Sequence, residues 1–86
     1  MEKTWSDDAW RDYLYWQEID KKTLKKINAL IKECERTPEK GTGKPELLRH
    51  FPGGYWSRRI NDKDRLVYKV EDGKLRIASC RGHYDD

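Results

Sequence analysis

Arg65-Leu66-Val67-Tyr68-Lys69-Val70-Glu71-Asp72-Gly73-Lys74-Leu75-Arg76-Ile77-Ala78-Ser79-Cys80 sets the architecture of this chain. Leu66, Tyr68 and Val70 alternate with Arg65, Val67 and Lys69, the period of a half-buried strand. Lys74 to Cys80 reads as a second strand, and Glu71-Asp72-Gly73 between the two is a tight-hairpin signal, because Asp and Gly tolerate the backbone such turns require. Upstream, Tyr55 to Ile60 reads as a third strand, set off by the polar turn Asn61-Asp62-Lys63-Asp64. The three make an antiparallel meander. Alternation puts Arg65 on the face opposite the apolar trio. It also puts Arg59 on the side of Tyr55 and Ser57, so Arg58 and Arg59 cannot share a groove.

Toward the N-terminus the period changes. Lys3 to Trp5 is expected as a short strand, and Ser6 as the N-cap of a helix with Asp7 and Asp8 in its first turn. Ala9, Tyr13 and Trp16 lie on one face of that helix, with Trp10 and Leu14 beside them. Gln17-Glu18-Ile19-Asp20 is expected to interrupt it, Asp20 capping the next helix. There Leu24, Ile27, Leu30, Ile31 and Cys34 form an apolar stripe opposite Lys21, Lys22, Lys25, Lys26, Asn28 and Lys32. Thr37-Pro38 ends it, since a residue before proline avoids the helical conformation. Gly41-Thr42-Gly43-Lys44-Pro45-Glu46 is a turn-rich connection. It lacks the glycine spacing and the Lys-Ser or Lys-Thr of a nucleotide-binding P-loop. The expected fold is α+β over residues 1–86 as a single domain: N-terminal strand, helical hairpin, antiparallel β-meander. The helices cover one face of the sheet. The other face, fed by arginines, is expected to be open and to carry the site.

Composition agrees with a small, densely charged domain. The 86 residues are 35% hydrophobic and 41% charged, which leaves room for one thin core. Four Trp and five Tyr argue against a disordered polyampholyte and supply buried area. The net charge of +3 is unevenly spread, with acids at both ends and basic residues through the middle, which favours a polyanionic partner. Two cysteines without a Cys-x-x-Cys pattern, and two histidines at unrelated positions, give no zinc spacing and no disulfide framework. No metal or cofactor is expected. Neither a basic-then-apolar leader nor an apolar run of membrane length occurs, so the expected location is cytoplasmic with no membrane partner.

Arg81-Gly82-His83-Tyr84 bears the chemistry. Histidine exchanges a proton near neutral pH, a guanidinium holds phosphate oxygens, and a phenol ring stacks on a base. Cleaving RNA without a metal needs a base for the 2′-OH, an acid for the departing 5′-oxygen and a cation for the transition-state charge. Glu46, His83 and Arg65 are candidates for these roles, and their joint action predicts a bell-shaped pH dependence. Each has a plain structural alternative: Glu46 as loop surface charge, Arg65 in an ion pair with Asp62 or Asp64, His83 as the end of a strand. His50, in Arg49-His50-Phe51-Pro52-Gly53-Gly54, reads as a turn-shaping residue outside the site.

Taken together, these segments resemble the YoeB (Txe) toxins, ribosome-dependent mRNA interferases of the RelE/ParE superfamily. The resemblance runs through Trp5-Ser6, Asp12-Tyr13-Leu14-Tyr15-Trp16-Gln17, Lys25-Lys26-Ile27-Asn28, Arg36-Thr37-Pro38 and Gly43-Lys44-Pro45-Glu46. It continues through Tyr55-Trp56-Ser57-Arg58-Arg59-Ile60, Arg65-Leu66-Val67-Tyr68, Cys80-Arg81 and His83-Tyr84. It implies a microbial-ribonuclease-like fold and a metal-independent endoribonuclease that cuts mRNA in the ribosomal A site. Glu46 would be the general base, His83 the general acid and Arg65 the transition-state stabiliser. Arg59, Tyr84, Arg49, Lys44 and Arg81 would meet RNA, and Lys21, Lys22 and Lys25 the ribosome. The implied partners are a YefM-type antitoxin, the bacterial ribosome with its mRNA, and a second copy in a homodimer. Two departures stand out. Gly82 occupies a position where the family also has a bulky aromatic, which would loosen the backbone beside His83. Leu47 stands where a second proline can occur.

Two other functions fit the same fold: a toxin of the ParE kind that only binds, inhibiting a topoisomerase, and a basic RNA-binding module. A binder needs no acid–base pair, which favours the nuclease.

Overall fold

The structure, a computed structural model, describes residues 1–83. Its elements are β1 (Glu2–Trp5), α1 (Asp7–Ile19), α2 (Lys21–Arg36), β2 (Glu46–Leu47), β3 (Trp56–Arg59), β4 (Arg65–Glu71) and β5 (Lys74–Ser79). The five strands form one sheet in the order β1-β5-β4-β3-β2. β2 to β5 pair antiparallel as a meander, and β1 returns to the far edge parallel to β5. No described helix is long and apolar enough to cross a membrane.

Polar caps delimit the helices as the sequence predicts. Ser6 Oγ accepts the Ala9 N–H at 3.0 Å and donates to the Ala78 carbonyl at 2.7 Å, so the cap of α1 also ties the helix to β5. α1 continues through Gln17, Glu18 and Ile19 and stops only at Asp20, one turn later than the polar run suggests. The Asp20 carboxylate accepts from the Thr23 hydroxyl and from the N–H groups of Lys22 and Thr23. Bonds from the Thr23 side chain and backbone hold this carboxyl below its ordinary range. Ala9 and Trp16 from α1 and Ile27, Leu30, Ile31 and Cys34 from α2 pack on Leu66, Tyr68, Leu75 and Ile77 of the sheet. Burying each large aliphatic side chain contributes about 1.5–3 kcal/mol, so these rows carry most of the hydrophobic stabilisation. Burial pushes the Cys34 thiol up to about 11 and the Cys80 thiol up to about 12. Trp10, Leu14 and Val70, expected near the core, are exposed.

Arg58 is the least expected core member, with 0% exposure. It lies opposite Leu66, on the face that α2 covers. Its Nε donates to Tyr68 Oη at 3.0 Å, Nη1 to the Thr42 carbonyl at 3.2 Å, and Nη2 to the carbonyls of Lys40 (2.7 Å) and Thr37. Nη1 also lies 3.2 Å from Glu33 Oε1. A buried guanidinium thus closes the C-terminus of α2, where the helix leaves carbonyls unbonded and its dipole is negative. Gly41 makes room for the pair: a Cβ there would sit 1.8 Å from Glu33 Oε1.

The Thr42 N–H donates to Glu33 at 2.7 Å, and that bond, with the Thr42 side chain and Arg58, lowers the Glu33 carboxyl below its ordinary value. A depressed folded-state pKa adds stability above the unfolded-state value and loses it as pH falls through the folded one. Glu33→Gln therefore melts below wild type at pH 7, and the gap closes as pH drops below about 4. Thermal melts at a series of pH values check this; a gap that stays constant overturns it.

The face away from the helices is not open throughout, which corrects the expectation. Val67 is fully buried there and Leu48 is 4% exposed, although neither joins the cluster under the helices. The 48–55 connection crosses this face. Lys69 Nζ donates to the Gly53 carbonyl at 3.0 Å and sits 4.8 Å from the Tyr55 ring centroid. Tyr55 lines a cleft with Thr4 of β1 and Arg76 and Ala78 of β5. What stays accessible at this end of the sheet is Glu46 and Leu47 of β2 and Arg59 at the end of β3.

Candidate functional site

Two adjacent rows across the sheet hold the candidate residues. In the first, Glu46 pairs with Ser57, which pairs with Val67, which pairs with Ser79. In the second, Arg59 pairs with Arg65. Partners in a pair share a face, as do residues two apart on one strand, so Glu46, Ser57, Arg59, Val67 and Arg65 all belong to the face away from the helices. Glu46 is not in a loop, as its polar surroundings suggest, but in the short edge strand β2. Ser57 and Val67, both buried, form the floor beside it.

Like charges directly opposite on neighbouring strands repel and cost stability. Among the described residues, no carboxylate forms an ion pair with either Arg59 or Arg65. Arg59 is exposed, whereas Arg65 is only 8% exposed. Arg65 Nη1 donates to the carbonyls of Asn61 (2.8 Å) and Asp64 (3.1 Å), which fix the guanidinium without neutralising it. The ion pair with Asp62 or Asp64 that the sequence allows does not form. Two cations side by side suit a divalent or doubly ligated anion such as a phosphodiester.

The C-terminal segment is held against the same end of the sheet from two sides. On the helix side, the Cys80 N–H donates to Asp12 Oδ2 at 3.0 Å and Trp16 Nε1 donates to the Cys80 carbonyl at 2.8 Å. Burial raises the Asp12 carboxyl, against the lowering effect of the Cys80 bond and of Arg81. On the sheet side, the Gly82 N–H donates to Asp64 Oδ1 at 2.8 Å and its carbonyl accepts from the Arg65 N–H at 2.9 Å. Gly82 has φ +97°, a conformation that side chains rarely adopt. Far from loosening the chain beside His83, it is bonded through both backbone groups. His83, exposed, follows directly.

The remaining candidates scatter more widely. Arg49 lines a cleft of about 470 Å³ with Glu46, Leu47 and His50, so His50 stands at the candidate site after all. Lys44 is exposed just before β2 with φ +51°. Arg81 stacks its guanidinium 3.5 Å from the centroid of Tyr15 on α1. Lys21, Lys22 and Lys25 are exposed on the first turns of α2. Tyr84 lies outside the described residues. Among the described residues, no group of three or more His, Cys, Asp and Glu side chains is arranged to hold a metal ion. Sequence reasoning missed Asp64, whose only signal is the polar turn that contains it.

Residues 5–84 match the family described as YoeB-like toxin of bacterial type II toxin-antitoxin system. Toxin YoeB of Escherichia coli strain K12 is 58% identical over 84 residues, covering 98% of this chain and 100% of that protein. The YoeB dimer from Staphylococcus aureus superposes with a TM-score of 0.91 at 49% identity, covering 98% of each chain. The toxin chain in a heterotetrameric YoeB-YefM toxin-antitoxin complex from the same organism gives 0.88 at 49% identity, again over 98% of each chain.

Proposed function

Because the chain belongs to the YoeB-like toxins of bacterial type II toxin-antitoxin systems, we propose that it is an endoribonuclease that cuts mRNA in the ribosomal A site and so inhibits translation. The observation that carries this reading is the pair Arg59 and Arg65, neutralised by no carboxylate among the described residues, one row from Glu46 and bonded through the Arg65 backbone to the residue before His83.

The chemistry runs on side chains alone. Glu46 takes the proton of a ribose 2′-OH, and the freed oxygen attacks the adjacent phosphorus. Arg65 and Arg59 hold the non-bridging oxygens as negative charge accumulates. The bond from phosphorus to the 5′-oxygen breaks as His83 delivers a proton to that oxygen. The products are a 2′,3′-cyclic phosphate and a 5′-hydroxyl. Tyr84 stacks on a base, and Arg49, Lys44 and Arg81 contact neighbouring phosphates. In-line attack needs the 2′-oxygen, phosphorus and leaving oxygen aligned, a geometry that free RNA seldom holds and a ribosome-bound codon can. Lys21, Lys22 and Lys25 then bind ribosomal RNA. A YefM-type antitoxin is the expected regulator and a homodimer the expected assembly, by likeness to the staphylococcal complexes.

The test loads purified bacterial ribosomes with an mRNA bearing a defined A-site codon, adds the protein and maps RNA ends, with the same RNA free of ribosomes alongside. A cut inside the A-site codon, only with ribosomes and leaving a 5′-hydroxyl, is the expected result. Cutting in both samples removes the ribosome from the proposal, and cutting in neither removes the nuclease.

A further inference from the structure

The residue that joins the two halves of the site belongs to neither. Asp64 is 5% exposed at the end of the β3–β4 turn. Its Oδ1 accepts the Gly82 N–H at 2.8 Å, its Oδ2 accepts Asn61 Nδ2 at 3.1 Å, and its carbonyl accepts Arg65 Nη1 at 3.1 Å. Asn61 locks the turn in return: its Oδ1 accepts the N–H groups of Lys63 (2.8 Å) and Asp64 (2.6 Å), and its carbonyl accepts Arg65 Nη1 at 2.8 Å. One short turn therefore fixes both the Arg65 guanidinium and the backbone that carries His83.

We propose that Asp64 is a positioning residue for the reaction, clamping the Gly82–His83 segment to the Arg65 turn so that the proton donor and the phosphate-binding cation keep one relative placement. This rests on the reading of His83 and Arg65 as acting on a single phosphodiester. A carboxylate suits the task because both of its oxygens accept, and both of its partners here are donors. The Arg65 N–H to Gly82 carbonyl bond ties Gly82 to the turn through one of its backbone groups. The second bond, at Gly82 N–H, ties it through the other and limits rotation about the first. Its acceptor is largely buried, where a hydrogen bond meets less competition from water. Small displacements of a reacting group are expensive, about 100-fold in rate for a misplacement near 1 Å.

Full-length wild type, Asp64→Ala, Asp64→Asn and His83→Ala are compared in three assays: amide exchange by NMR, ribosome binding, and single-turnover cleavage of ribosome-bound mRNA. The Gly82 amide is protected in wild type. In Asp64→Ala it exchanges at least about tenfold faster, while amides of Leu66 to Tyr68 keep their protection. Cleavage by Asp64→Ala falls by about 100-fold at saturating ribosomes, with the ribosome dissociation constant unchanged within about twofold. Asp64→Asn keeps an acceptor for Gly82 but turns its amide donor toward Asn61, and loses about tenfold. It also serves as the informative variant if the alanine variant fails to fold. Full cleavage by an Asp64 variant whose Gly82 amide has lost protection overturns the proposal. So does an equal weakening of ribosome binding that accounts for the whole loss. Failure of wild type itself to cut, with the Gly82 amide protected, defeats the functional reading instead.

Discussion

Arg58→Ala lowers the stability of this protein by about 3–5 kcal/mol, the largest effect expected of any single polar substitution in it. The substitution removes a fully buried charge together with the partner of three backbone carbonyls, at Thr37, Lys40 and Thr42, and of the Tyr68 hydroxyl. Tyr68 is fully buried, so its hydroxyl has no water to turn to, and the three carbonyls lose a shared donor in a part-buried loop. Tyr68, whose phenol burial raises above its ordinary pKa, keeps its bond to the Pro38 carbonyl but loses its donor. At about 4–8 °C per kcal/mol for a domain of this size, the melting temperature falls by at least about 12 °C. Arg58→Lys recovers less than half of that, because three donors on a compact ammonium cannot reproduce a planar fork that serves four oxygens on different segments. Arg58→Met tests the mechanism. If hydrophobic filling of the space were what mattered, Met would restore stability; orphaned carbonyls predict that it does not. Thermal and denaturant unfolding of the three variants decide between these outcomes. The loop that Arg58 secures leads directly into Glu46, with the Arg59 N–H bonded to the Gly43 carbonyl at 2.7 Å on the way. Loss of Arg58 therefore loosens the approach to the site as well as the fold.

Where local chemistry determines structure, the sequence was legible. Ser6 and Asp20 announce helix starts because their side chains satisfy N–H groups that no helix satisfies by itself, and both do so here. The alternation from Leu66 and the Asp72-Gly73 turn give the meander and its faces, and hence the side of the sheet on which Arg59 and Arg65 lie. What stayed hidden depends on partners distant in the chain. Two residues are too few to show a period, so β2 and the strand position of Glu46 emerge only through pairing with Ser57. Arg58 looks like any alternating strand residue until the loop from Thr37 to Thr42 brings its carbonyls over the sheet. Leu48 reads as part of a polar stretch, and its burial depends on that connection crossing the far face. Asp64 has a turn signature but nothing to reveal that Gly82, eighteen positions on, is its partner. The residues proposed as acid, base and cation were thus nameable one by one, while the scaffold that relates them was not.

His83→Ala slows cleavage of ribosome-bound mRNA by about 10²–10⁴-fold in the single-turnover rate, while leaving the fold intact. The side chain is exposed, and the backbone bonds of Cys80 and Gly82 that hold its segment stay in place when it is removed. Arg65 demands a gentler substitution, because it is largely buried and its Nη1 ties the Asn61–Asp64 turn. Arg65→Lys keeps the charge and gives up the fork, and is expected to lose about 10²–10³-fold. If the two groups act as a unit on one transition state, their losses do not add: the double variant falls no further than about tenfold below His83→Ala alone. Additive losses would mean that each contributes independently of the other. Ribosome binding measured in parallel keeps the comparison on chemistry, since Lys21, Lys22 and Lys25 are untouched. A fold-competent His83→Ala variant that cleaves at the wild-type rate would remove His83 as the acid, and the 5′-oxygen would have to take its proton from another group, with His50 beside Glu46 the first to substitute.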